Sequence, residues 1–269
     1  LDDASDVEIT NNTIAGNMST STAEDAILGT ANCAGVCSQA NSPQFQAALP
    51  PGSPLFSDPL MFNNIIWDSL AYRWDDPPPV DPDEESGFRL IPTAFIDLDV
   101  IGVAGELDPH FSLLGSTFPG VAADNIIATA EDEEGQFDID PMFVTRIMAS
   151  RLGVLATPNR LDATQISLFF DRKEGPLAGY SDYHLVVGSP AIDTGTASLV
   201  TGTGVFPAPG DDYDGEARPI GAGFEIGADE TLGASPGHLL YFSTAANVAI
   251  PGVAGPFDDA DVYSWDSII

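Results

Sequence analysis

Asp182, His184 and Ser189 fall inside one short stretch, SDYHLVVGSPAIDTG. An acid, an imidazole and a hydroxyl are the parts of a serine nucleophile with its base and orienting carboxylate. That chemistry needs the serine on a sharp exposed turn beside an oxyanion hole, and no G-x-S-x-G elbow is present. Ser189 instead precedes Pro190 at a bend, and closeness in sequence does not make a triad in space. The bend reading is therefore preferred, with Asp193 capping a turn through backbone amides. Acidic loops suggest a second chemistry. In DDYDGE, Asp212 and Asp214 stand two apart before Gly215, with Glu216 next. Alternate carboxylates in a loop direct oxygens at one calcium ion. Asp258, Asp259 and Asp261 in DDAD form a second such cluster. Neither is a complete EF-hand loop, because the glutamate expected at the twelfth position is missing or misplaced. Calcium is the one cofactor expected; no motif points to haem or a nucleotide. His110, His184 and His238 are scattered and make no transition-metal pattern. Trp67, Tyr72 and Trp74 lie close together and would form a sugar platform if a carbohydrate groove exists. Arg172 and Lys173 are the basic pair a lyase would draw on.

The chain that must position these groups has 269 residues, 43% of them hydrophobic, enough to bury a core. Acidic residues outnumber basic ones by 41 to 8, a formal charge of −33. Such a surface repels phosphate backbones and anionic lipid, so nucleic acid is excluded as a partner. It attracts cations and basic surfaces. No apolar run approaches the ~20 residues that cross a bilayer, so a transmembrane chain is not expected. The two cysteines, Cys33 and Cys37 in NCAGVC, are best read as a disulfide closing a small loop, which places the chain in an oxidising compartment. The alternative, half of a thiolate metal site, lacks its other half. The chain opens in strand-like alternation without a leader, so Leu1 is expected to be a processed start or the start of an ordered fragment.

Val7 and Ile9 alternate with Glu8 and Thr10, the period of a strand with one buried face. Asn11-Asn12 then bends the chain and Ile14 turns inward, because asparagine tolerates the left-handed conformation. The unit returns at NNIIWDS, where Asn63-Asn64 matches Asn11-Asn12 and Ile66 matches Ile14. Strand, asparagine bend and short strand, repeated, read as one wall of a parallel β-helix. Between the copies, residues 30–60 are expected to be a loop-rich insertion, and 73–93, with Pro77 to Pro79 among acids, a surface excursion. FIDLDV alternates Ile96, Leu98 and Val100 against Asp97 and Asp99. Ile147, Leu152, Val154 and Leu155 predict a short helix before Pro158, and TQISLFF a strand. Arg218 is expected to pair with Asp214 or Glu216, since a buried arginine needs an acid.

DPMFV (140–144), SDYHLVVGSPAIDTG (181–195) and DYDGEARPIGAGFEIGADE (212–230) resemble the closing segment of bacterial right-handed parallel β-helix proteins of the pectin-lyase-like superfamily. The order DPxF, DYHL, GSPAIDxG, RP and IGAxE is kept. The resemblance implies an all-β chain. Residues 1–232 would form a right-handed parallel β-helix with loop insertions, and 233–269 the start of a second, truncated β module. It implies an exported bacterial protein at the cell surface or outside the cell, with a non-catalytic structural or adhesive role. Its partners would be other chains of a surface assembly, further domains of the same polypeptide, a carbohydrate or a mineral. The alternative within the same fold is a polysaccharide lyase or glycoside hydrolase.

Overall fold

A computed structural model describes residues 1–19, 33–75, 89–116, 121–129, 137–146, 148–158, 164–174 and 182–231. The described chain is all-β. The first strands are β1 (Glu8–Thr10), β2 (Thr13–Ala15), β3 (Met18–Ser19) and β4 (Val36–Gln39), followed by the one helix, α1 (Pro43–Ala48). Then come β5 (Leu60–Phe62), β6 (Ile65–Trp67), β7 (Leu70–Asp75), β8 (Arg89–Phe95), β9 (Leu98–Ile101), β10 (Leu113–Leu114) and β11 (Ile126–Ile127). The last are β12 (Phe143–Thr145), β13 (Met148–Pro158), β14 (Thr164–Glu174), β15 (Asp182–Leu185), β16 (Ser198–Val200) and β17 (Val205–Pro207).

Strands of the first half stack in parallel. β1 lies on β5, β2 on β6 and β3 on β7, with Glu8 opposite Leu60, Thr13 opposite Ile65 and Met18 opposite Leu70. The same residue offset on three walls means the chain comes back one rung later without slipping register. The β2 wall continues through β10 and β11 in the order β11-β10-β6-β2, every step parallel. A further wall pairs β4 with β9, also parallel. The stretch expected to be a loop-rich insertion over 30–60 therefore carries a rung, with Val36 and Ser38 buried.

The bends make the stacking specific. Asn11, Asn63 and Phe111 all hold positive φ, near +50°. Next to them, each bend N–H donates to a side-chain oxygen of the following rung: Asn12 to Asn64 Oδ1 at 2.9 Å, Asn64 to Ser112 Oγ at 3.0 Å, Ser112 to Asn125 Oδ1 at 2.8 Å. Asn64 also donates its Nδ2 to the Ile9 carbonyl at 2.7 Å. Asparagine suits this place because one amide both donates and accepts.

The β6 wall is apolar on both faces. Ile65 and Trp67 join one core cluster with Leu113, Leu185, Ala191 and Ile226; Ile66 joins another with Val36, Met61, Leu98 and Leu114. Strands buried on both sides read as continuous hydrophobic runs, as IIW does here. Asp97 departs from its expected outward place: it is fully buried, and its Oδ2 accepts from the Gly115 N–H at 2.6 Å. Burial pushes its carboxyl up to about 7, while hydrogen bonds from Ser69, Gly115 and Ser116 pull the other way.

Elsewhere the pairing is antiparallel. β7 and β8 zip the two arms of the excursion at 73–93, whose tip lies outside the described residues. The segment expected as a helix before Pro158 is the strand β13, its backbone paired antiparallel with β14 in a register that sets Leu152 opposite Phe170 and Val154 opposite Leu168; Ile147 lies outside the described residues. The module expected over 233–269 also lies outside the described residues.

Asn63 joins the ladder to the closing segment. Its Nδ2 donates to Asn11 Oδ1 (3.2 Å) and to the Thr196 carbonyl (2.7 Å), and its Oδ1 accepts from the Thr196 N–H (2.9 Å). Asn63→Ala should destabilise the protein by about 3 kcal/mol, the sum of buried hydrogen bonds lost and a left-handed alanine. Asn63→Gly should recover ~1 kcal/mol of that by relieving the backbone alone. Denaturant unfolding of the two variants measures both; equal losses would separate the side chain from the bend.

Candidate functional site

The closing motifs come together over the outer face of the β6 wall. Ile226 and Ala191 pack on Ile65 and Leu113. The Ile226 N–H donates to the Ala191 carbonyl at 2.9 Å, and the Gly227 N–H to the Asn63 carbonyl at 2.8 Å. Gly227 sits at φ +106°, and a Cβ there would meet Ile65 Cδ1 at 2.7 Å, so only glycine lets the IGA segment lie this close. Asp193, at φ +56°, accepts from the Gly223 N–H at 2.7 Å, the turn-capping role expected of it.

The polar residues of these motifs converge at one end of the cover. His184 on β15 bonds Asp182 through Nδ1, and donates from Nε2 to Asp214 Oδ2 at 2.6 Å. The Tyr213 hydroxyl stands 2.8 Å from each ring nitrogen. Asp229 Oδ2 accepts from the Leu185 N–H at 2.8 Å, while its Oδ1 lies 4.0 Å from His184 Nε2. A cleft of about 330 Å³ opens beside this group, lined by His184, Glu216, Ile220, Asp229, Glu230 and Thr231.

Four ionisations are displaced; that of Tyr213 is pushed up by burial and by the charges of Asp214, Asp229, Asp182 and Asp212. Partial burial pulls the His184 imidazole down, but its bonds to Asp182 and Asp214 and the charges of Asp229 and Asp182 outweigh that and push it up to about 9. Burial raises Asp229 to about 6, against the Leu185 N–H and the His184 charge, and with help from Asp212 and Asp214. Burial and the adjoining Glu230 carboxylate push Glu225 well above the carboxylate range. Beside that pair, Arg218 donates to Glu230 Oε1 at 2.8 Å and to the Gly227 carbonyl at 3.1 Å, with both side chains buried. The expected partner of Arg218 was Asp214 or Glu216. Glu230, from the last motif, takes that place because the IGADE segment folds back on the RP turn, where Glu230 also accepts from the Ile220 N–H.

The candidate residues sort as follows. Ser189 is buried and its Oγ accepts from the Ala191 N–H at 3.2 Å, a local turn. A charged His184 with both nitrogens engaged has no lone pair to offer a hydroxyl. In the loop expected to hold calcium, Asp212 Oδ1 accepts from the Asp214 and Glu216 N–H groups (3.0 and 2.8 Å), and its Oδ2 from the Glu230 N–H (3.1 Å). Asp214 turns to His184 and Glu216 to the cleft. Among the described residues no three His, Cys, Asp or Glu side chains gather as a metal-holding group. Asp258, Asp259, Asp261 and His238 lie outside the described residues. Of the aromatic platform, Trp67 is 1% exposed, against Phe137 at 4.7 Å with the Arg146 guanidinium 4.7 Å over its ring. Tyr72 is also buried, its hydroxyl 3.8 Å from Met18 Sδ. These two rings present no face to a sugar. Cys33 and Cys37 are disulfide-bonded, with Cα atoms 5.9 Å apart. Sequence reasoning passed over Asp229 and Glu230 as parts of a strand; the signal for them was two adjacent acids in a segment otherwise apolar enough to be buried. No family model, curated protein or solved structure matches the chain.

Two outcomes follow from this geometry. The folded pKa of His184 is raised, so its contribution to stability is fully present below about 6.5 and is lost as pH rises through about 9. Thermal melts from pH 5 to 10 should show His184→Gln least stable relative to the parent at the acid end, the gap closing above pH 9. Arg218→Met should cost about 3–5 kcal/mol, because it leaves the buried Glu230 carboxylate without a counter-charge. Adding Glu230→Gln to it should return part of that loss in the same denaturant titration.

Proposed function

We propose that this chain is the closing part of a right-handed parallel β-helix of the pectin-lyase-like kind, serving as a non-catalytic structural or adhesive module of an exported bacterial surface protein. The stacked parallel rungs with their repeated asparagine bends support that fold reading. The Cys33–Cys37 disulfide fits an oxidising compartment, and no helix among the described residues is long and apolar enough to cross a membrane.

One observation carries the functional reading: the groups able to do chemistry at the site are spent holding the fold closed. Asp182 and Asp214 take both nitrogens of His184, Glu230 takes Arg218, and Asp212 caps its own loop. A lyase or hydrolase of this fold needs a base with a free lone pair, or two carboxyls facing one another across an open sugar cleft. Glu225 and Asp229, the carboxyls raised at this site, are both buried. The partners fitting the reading are further domains of the polypeptide, other chains of a surface assembly, or a carbohydrate or mineral surface.

The test is incubation with a broad polysaccharide panel, pectate and alginate included, with and without calcium. Product is read as new reducing ends and as ultraviolet absorbance of unsaturated sugars. No release is expected. Release that His184→Gln or Asp229→Asn abolishes would replace the scaffold reading with an enzyme.

A further inference from the structure

The cleft beside His184 has an electrostatic character that closing the fold does not explain. Asp229 is only 3% exposed in its side chain, yet its Oδ1 takes no hydrogen bond. The nearest cation, His184 Nε2, is 4.0 Å away and already gives its proton to Asp214 at 2.6 Å. A buried carboxylate oxygen left without a donor is costly, on the order of 1–3 kcal/mol or more. Around it the charge is one-sided. Glu216 lines the cleft, Asp182, Asp212 and Asp214 stand behind it, and Glu230 is matched by Arg218. One imidazolium faces this group of carboxylates. Among the described residues no three His, Cys, Asp or Glu side chains gather here to hold a metal ion. The cavity of about 330 Å³ has Ile220 and Thr231 in its wall, room and apolar surface for an alkyl stem.

We infer that this cleft is a seat for an organic cation, a guanidinium or ammonium group on an alkyl stem, held between Glu216 and the unpartnered oxygen of Asp229. The inference deepens the proposed function by giving a partner its chemistry, and it rests on that reading. An N–H donor in the cleft supplies the hydrogen bond Asp229 Oδ1 lacks. Glu216, at the exposed rim, attracts the charge from solvent, and Ile220 covers the stem. A planar guanidinium can reach two carboxylates at once, which favours arginine-like groups over lysine-like ones.

Titration of the intact chain with butylguanidinium and butylammonium, followed by the His184 ring resonances, tests this. Saturable binding is expected, tighter for butylguanidinium, with no response to neutral butylurea. Glu216→Gln, an exposed change the fold tolerates, should weaken binding roughly two- to fivefold. Asp229→Asn should weaken it about 30-fold or more, with thermal melts confirming that the variant is folded. Acetyl-arginine-methylamide binding as well as butylguanidinium would point to a side chain of a partner protein; binding of the free cation alone would point to a small-molecule ligand. Absence of saturation, indifference to both substitutions, or displacement by calcium at comparable concentration would each overturn the inference. The polysaccharide panel reads the scaffold proposal separately, so a failure of the cation site is told apart from a failure of that proposal.

Discussion

The fold depends on one repeated contact: a bend N–H donating to the side-chain oxygen of the bend residue one rung on. Asn12 to Asn64, Asn64 to Ser112 and Ser112 to Asn125 form an unbroken line. Parallel strands of two or three residues, such as β2, β6 and β10, share too few backbone bonds to hold register by themselves. The polar line fixes register at the corner, and the apolar side chains then fall into place on both faces. A slip of one residue would send Ile65 to the side of Ile66 and break the bend bonds together. The same corner receives the closing segment, because Asn11 Nδ2 reaches the carbonyls of Glu225 and Gly227, and Asn63 binds Thr196. The bends therefore specify both the stack and its cover.

Covering the outer face of β6 has an electrostatic consequence. The segment that supplies Ile226 to the core carries Glu225 before it and Asp229-Glu230 after it, and burying the isoleucine draws these acids inward. Each is handled differently. Glu230 meets Arg218, Glu225 has its proton affinity raised by burial and by Glu230, and Asp229 keeps one backbone donor and a distant imidazole. Glu225, Asp229 and, elsewhere in the fold, Asp97, together with the His184 imidazole, bind protons more tightly when folded. Stability linked to them therefore falls as pH rises across the neutral range.

Some of this was legible in the residues. The paired asparagines and the Ile14–Ile66 correspondence give the first two rungs in correct register. The third rung was not readable, because its bend is Phe111-Ser112. A bulky residue in the left-handed region is disfavoured by about 1–2 kcal/mol, so no propensity points to it; the neighbouring rungs impose it. β4 was hidden by its cysteine and by the polar Ser38 at its second buried place, so VCSQ shows no apolar alternation. Trp67 and Tyr72 drew attention as aromatics close together, but IIW is a run buried on both faces, and its third residue belongs to the core. The His184 site was half legible. Asp182 and His184 are neighbours in sequence, whereas Tyr213, Asp214 and Asp229 reach them only because the DDYDGE loop and the IGADE segment fold against β15.

The distribution of scarce cations connects the interior to what the surface can bind. The chain has eight lysines and arginines against 41 acids. Arg218 is buried on Glu230, and Arg146 lies over the Trp67 ring while bonding Asp140 at 3.2 Å. His184, the third cationic group of the closing region, sits among Asp182, Asp214 and Asp229. These positive charges are used to pin the cover to the ladder, where desolvation makes each worth more than at the surface. With these three groups engaged in the seam, the formal charge of −33 gives the chain a net field that attracts cations and repels anions at long range.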